Sequence, residues 1–148
     1  MTPLRTIPAW PAPTARVEPR RLVAGEHGRI VVTIDVPDGC HIQSHQPAEP
    51  FLIPTTLDLD GSAGLALGPA TYPVGDTERF DWTPVVLNVY RGAVEIVVPV
   101  RIEAGTNPGR RTVSGRVRYQ GCTANACLPP AGMDVQVDLE ITSEEERA

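Results

Sequence analysis

Four stretches of this chain alternate apolar and polar residues with a period of two, and no other feature constrains the fold as strongly. Ala93 to Ile102 sets Val94, Ile96, Val98, Val100 and Ile102 on one face, and Arg110 to Tyr119 does the same with Val113, Gly115, Val117 and Tyr119. Arg29 to Val36 alternates and is rich in β-branched residues, and Met133 to Ile141 alternates near the C-terminus. A period of two is that of a half-buried strand, whereas an amphipathic helix repeats every 3.6 residues. Sixteen prolines and thirteen glycines in 148 residues suit short strands joined by frequent turns and argue against a helical protein. Further strands are expected from Ala15 to Val23, Phe51 to Leu59, Leu65 to Pro73 and Val85 to Tyr90, with Pro54 restricting its segment to an edge or a bulge. Seven to nine short strands in a chain of one-domain length read as an all-β, immunoglobulin-like two-sheet β-sandwich.

The ends differ from this pattern. Residues 1–15 are rich in proline around Trp10 and read as an extended arm, residues 16–142 as the domain, and residues 143–148 as a charged tail. Between Val74 and Pro84 runs Gly75-Asp76-Thr77-Glu78-Arg79-Phe80-Asp81-Trp82-Thr83, acidic and aromatic with no period, and we expect a loop of functional length there.

The formal net charge of −5 and the absence of any lysine leave no basic face for a nucleic acid backbone. No apolar run near the N-terminus has the length of a signal peptide, and none anywhere approaches the roughly 18 residues of a membrane span.

Cysteine usage is more specific. Tyr119-Gln120-Gly121-Cys122-Thr123-Ala124-Asn125-Ala126-Cys127-Leu128-Pro129-Pro130 places two thiols five positions apart between two strand-like runs. Fully extended, those Cα atoms would stand roughly 17 Å apart, while a disulfide needs them within about 7 Å. A bonded pair therefore requires a tight turn, which the small residues and Asn125, tolerant of left-handed angles, make accessible. As a staple the bond would contribute roughly 2 kcal/mol by loop-closure entropy. Three uses stay open on the residues alone: redox exchange, a structural staple, and zinc or copper ligation with Cys40, His41 and His45. The ligand set lacks the Cys-x2-Cys spacing common at structural zinc, and nothing in the sequence implies a metal or other cofactor. Cys40 is left over if Cys122 and Cys127 pair, as a buried free thiol or as a neighbour of the pair. A Cys-x4-Cys pair also lacks the helix N-terminus that activates thioredoxin-type sites, so it needs some other partner group.

Two blocks carry a resemblance. The first is Tyr-Gln-Gly-Cys, a short spacer and Cys-Leu-Pro-Pro; the second is Pro37-Asp38-Gly39-Cys40-His41-Ile42-Gln43-Ser44-His45-Gln46-Pro47 followed by Phe51-Leu52-Ile53-Pro54-Thr55. Together, from about Arg16 to Thr142, they resemble the N-terminal extracytoplasmic domain of DsbD-type thiol:disulfide interchange proteins. The resemblance implies that Cys122 and Cys127 form a redox-active pair and that the residues after Gly39 lie beside it. Where some members of that family carry tyrosines there, this chain has His41 and Gln43, which become its candidate catalytic neighbours. The resemblance further implies that the 74–84 loop, with Glu78, Phe80 and Trp82, caps the disulfide, Phe80 being the first candidate for the capping ring. Thioredoxin-like proteins or domains are the implied partners, with a membrane redox domain as a further one, and the implied location is the periplasmic or cell-surface side.

Local sterics and the resemblance disagree on which sulfur a partner meets. Gly121 opens the approach to Cys122, and Leu128-Pro129-Pro130 crowds Cys127; the resemblance instead makes the second cysteine the one that forms the mixed disulfide, with the first resolving it. Weighing the two, we expect Cys127 to meet the partner.

Overall fold

The computed structural model describes residues 10–144, and its ordered elements are twelve β-strands. Sheet one is β1 (Thr14–Glu18), β3 (His27–Asp35), β9 (Ala93–Ile102) and β6 (Leu65–Leu67), in that order. Sheet two is β2 (Arg21–Val23), β12 (Ala131–Thr142), β10 (Gly109–Tyr119) and β5 (Thr56–Asp60). Period-two patterning decides what each strand buries. On β9 Val94, Ile96, Val98, Val100 and Ile102 are all buried, and on β12 Val135, Val137, Leu139 and Ile141 are. These side chains meet those of β3 and β10 in one apolar core between the two sheets, the arrangement of an immunoglobulin-like sandwich.

A third, smaller sheet carries the chemistry: β11 (Gly121–Thr123), β4 (Cys40–Gln43), β8 (Thr83–Tyr90) and β7 (Asp76–Phe80). All four residues of β4 are buried, so this strand has no solvent face. Cys40 and Ile42 join the sandwich core, and by alternation His41 and Gln43 point the other way. A second apolar cluster of Leu52, Leu87 and Val89, with Phe80 and Val85 packed against it, lies within this part of the fold.

The structure corrects several expectations. The 74–84 segment is not an irregular loop but a hairpin, β7 and the start of β8, paired in register from Asp76↔Val89 to Glu78↔Leu87. The register then shifts to Phe80↔Thr83, because Pro84 has no N–H to give the ladder. As an edge hairpin with mostly solvated residues it has no buried face to impose a period, which is why its sequence shows none. Ala15 to Val23 is two strands rather than one: β1 pairs antiparallel with β3, and after Pro19 and Arg20 the chain crosses to sheet two, where β2 runs parallel to β12. The 51–59 strand begins only at Thr56, after Pro54. The expected arm lies partly outside the described residues, but its last part does not behave as a free arm, since Trp10 packs on the core and β1 starts at Thr14. Most of the expected tail, residues 145–148, also falls outside the described residues.

Candidate functional site

The site is built where β11 lies along β4. The rungs are Gly121↔Ile42, Cys122↔His41 and Thr123↔Cys40, so Cys122 and His41 project from the same face, opposite to Cys40. Leu128 N–H donates to the Gly121 carbonyl at 2.8 Å and Thr123 N–H to the Ala126 carbonyl at 2.8 Å, closing a tight hairpin. Between these two bonds Cys122 and Cys127 face each other, joined as a disulfide with their Cα atoms 3.9 Å apart. The turn does not use the left-handed angle that Asn125 allows, for among the described residues only glycines have positive φ. Instead the Thr123 hydroxyl accepts from Asn125 N–H at 3.3 Å and donates to the Ala126 carbonyl at 3.3 Å. Cys40 is a free, buried thiol on the core side of β4.

The two sulfurs have different surroundings. Cys122 is fully buried, whereas Cys127 is partly exposed at the rim. The gap expected over Gly121 is filled: the Trp10 ring packs against Tyr119 in a tilted arrangement with centroids 5.3 Å apart, and a side-chain carbon at position 121 would lie 2.7 Å from that ring. Glycine is needed here to admit an aromatic from the chain itself, so the steric expectation that favoured Cys122 as the reachable sulfur is overturned.

Gln43 and His41, the candidate neighbours of the pair, are both brought to it. The Gln43 side chain is completely buried and its Nε2 lies 3.6 Å from Cys122 Sγ and 3.9 Å from Cys127 Sγ. Its backbone is pinned on both sides: Thr55 Oγ1 donates to the Gln43 carbonyl at 2.5 Å, and Gln43 N–H donates to the Gln120 carbonyl at 3.3 Å. His41 is equally buried and stacks on Phe80, with ring centroids 4.5 Å apart and planes at 21°. Burial, with a smaller contribution from the nearby Arg91 guanidinium and against the pull of Glu78, lowers its pKa to about 4. The ring is therefore neutral at neutral pH.

Of the three residues expected to cap the pair, Phe80 reaches the site, and its ring contact is with His41, the cross-strand neighbour of Cys122. Trp82 stands behind it at 6.2 Å and is 38% exposed. Glu78 holds Arg91 through two bonds of 2.6 and 3.0 Å, which keep its carboxyl below the usual range. Arg91 in turn donates to the Cys40 carbonyl at 3.0 Å, and so ties β7 to β4. His45 lies away from the sulfurs, stacked on Tyr72 at 3.6 Å with Nδ1 2.9 Å from the Thr55 carbonyl oxygen.

Two contributors escaped the sequence. Gln120 accepts from Ile53 N–H at 3.1 Å and donates to the Leu128 carbonyl at 3.4 Å, lashing the 51–55 segment to the hairpin; its place inside the Tyr-Gln-Gly-Cys block was the available signal. Arg91 sits in an ordinary strand-to-turn context and carried no signal at all.

The family described as "Thiol:disulfide interchange protein DsbD, N-terminal" matches residues 9–139 of this sequence. The chain belongs to that family. No curated protein matches it in sequence. Among solved structures, the chain is similar to the N-terminal periplasmic domain of ScsB from Proteus mirabilis, at 13% identity and a TM-score of 0.55 over 96% of this chain. It spans 53% of that ScsB chain. The Neisseria meningitidis DsbD N-terminal domain in its reduced form is also similar, at 17% identity over 82% of this chain and 86% of that one, with a TM-score of 0.45. Membership in the DsbD N-terminal family and the joined Cys122–Cys127 pair support thiol:disulfide exchange as the general chemistry.

The neutral His41 gives this DsbD-family domain a definite acid response. Because the folded pKa lies below the ordinary value near 6.5, the unfolded chain takes up the proton first as pH falls. The stability owed to the neutral ring is complete above about pH 6.5 and is lost progressively toward about pH 4. The loss should approach roughly 3 kcal/mol. Denaturant titrations across that range should show it in the native chain, and the part due to His41 should vanish in His41→Phe; an unchanged pH slope in the variant would place the acid sensitivity elsewhere.

Proposed function

We propose that this chain is an extracytoplasmic exchange domain that relays reducing equivalents through Cys122 and Cys127. The donor is a thioredoxin-like protein or domain, a membrane redox domain included, and the acceptors are oxidised proteins of the same broad class. The observation that carries this reading is the asymmetry of burial in the pair: Cys122 is sealed and Cys127 is partly exposed at the rim, while Gln43 Nε2 lies 3.6 Å from the first sulfur and 3.9 Å from the second.

A donor thiolate attacks Cys127 Sγ, the Cys122–Cys127 bond breaks, and Cys122 leaves carrying the electron pair. The Gln43 carboxamide N–H, already directed at that sulfur, stabilises the thiolate as it forms. The donor's second thiol then attacks the mixed disulfide at the donor sulfur and releases Cys127, so that two electrons and two protons have moved to the pair. In the forward step Cys127 attacks an acceptor disulfide and Cys122 resolves the adduct. His41, neutral at working pH, serves as a buried wall and hydrogen-bonding group beside Cys122 rather than as the acid that protonates it.

Phe80, Trp82 and the Glu78–Arg91 pair form the cap. Phe80 closes over His41 from the hairpin tip, beyond the point where the β7–β8 ladder loses register, and Glu78 and Arg91 hold the hairpin nearer its base. The large apolar side chains exposed among the described residues are Phe51, Val74 and Trp82. Of these, Trp82 stands next to Phe80, whose ring stacks on His41, and it offers a partner apolar contact on that side of the site.

Two outcomes test this reading. Cys122→Ser should accumulate a mixed disulfide with a thioredoxin-like partner through Cys127, and Cys127→Ser should accumulate none; trapping in the reverse pattern would exchange the roles, and no trapping by either would make the bond a staple. Separately, Phe80→Ala should raise the rate at which a small disulfide oxidises the reduced pair by several-fold with a lesser effect on stability. Unchanged rates in both Phe80→Ala and Trp82→Ala would remove the shielding role.

A further inference from the structure

The oxidised site leaves polar atoms unpaired in a place where that is costly. Among the described residues, five buried side-chain nitrogen or oxygen atoms have no hydrogen-bond partner: His41 Nδ1 and Nε2, Gln43 Oε1, Ser62 Oγ and Thr142 Oγ1. Three of the five belong to the two residues that face the disulfide, and both of those residues have no solvent-exposed surface. A buried group left without its partner costs about 1–3 kcal/mol, roughly 5- to 150-fold in an equilibrium constant.

The chemistry of the pair explains two of these three, the Gln43 oxygen and the bare nitrogen of the His41 ring, the other ring nitrogen being a donor. A disulfide has no hydrogen to donate. Its sulfurs can accept, and Gln43 Nε2 lies within reach of both, but the carbonyl oxygen of the same carboxamide and the bare nitrogen of the neutral imidazole need donors. Reduction supplies them. When a dithiol of a thioredoxin-like partner delivers two electrons and two protons, the Cys122–Cys127 bond breaks, the partner's sulfurs join, and two S–H groups appear in this site. Cys122 is the cross-strand partner of His41 on the same sheet face, within ordinary side-chain reach. Rotation of the Gln43 carboxamide about its last torsion turns Oε1 toward the sulfurs that Nε2 now faces.

We infer that His41 and Gln43 are acceptors held in reserve for the thiol hydrogens of the reduced pair, so that this site is better satisfied as a dithiol than as a disulfide. The inference rests on the exchange reading above and adds a direction to it. A couple whose reduced form is the better satisfied one gives up its disulfide readily, which suits a domain that must be recharged by its donor after every turnover.

The test is the thiol:disulfide equilibrium of the full chain against a glutathione buffer, read by alkylation of the free thiols. In His41→Phe, where the ring still stacks on Phe80 but has no nitrogen, the equilibrium should move toward the disulfide by about tenfold, which is about 30 mV for a two-electron couple. A shift of less than twofold overturns the inference while leaving exchange intact. A native pair that fails to equilibrate with the buffer overturns the exchange reading itself. Should His41→Phe not fold, the native protein still decides. Closing so short a loop should by itself make the oxidised form about thirtyfold harder to unfold. We expect the reduced form to match or exceed the oxidised form in stability, and an oxidised form that keeps the full thirtyfold advantage rules the inference out.

Discussion

The site depends on three rungs of backbone pairing, Gly121↔Ile42, Cys122↔His41 and Thr123↔Cys40. They decide which side chains share a face, and a slip of one residue would turn every one of them over. In the observed register Ile42 and Cys40 enter the sandwich core, and His41 and Gln43 meet the sulfurs. The register is held from both sides. Trp10 fills the space over Gly121, and Arg91 and Thr55 bond the β4 carbonyls of Cys40 and Gln43.

The large sandwich and the small site have different energetic characters. The sandwich is a continuous apolar core in which β9, β10 and β12 bury one face each, and its stability follows the area removed from water. The third sheet buries a short strand on both faces and places polar side chains in it, leaving three nitrogen and oxygen atoms unpaired. Unpaired buried groups are rare in native proteins, and a redox role is one physical reason for keeping them. Beyond its own ladder, the β7–β8 hairpin is held to β4 by the Phe80–His41 stack and a partly exposed ion pair, and such surface pairs contribute little to stability.

The sandwich was legible because each long strand shows its burial as alternation. Val94 to Ile102 announces both the element and its inner face. The cysteine hairpin was legible from Gly121, the spacer and Pro129-Pro130, and the placing of His41 and Gln43 beside it came only through the family resemblance of the block around Gly39. What could not be read depended on tertiary contact. The edge hairpin buries no residue of Asp76 to Phe80, so that strand has no buried face to give it a period. Gly121 was read as an opening for a partner, and only the fold shows that Trp10, more than a hundred residues earlier, occupies it. Arg91 is one arginine among thirteen, and its link from Glu78 to the Cys40 carbonyl appears only once β7, β8 and β4 lie side by side.

The central claim is that Cys122 and Cys127 form an exchanging couple rather than a staple, and the midpoint potential of the pair tests it most directly. A couple built for exchange should titrate in the span of roughly −120 to −270 mV. A potential below about −300 mV, in the range of bonds that the glutathione pool leaves intact, would contradict it.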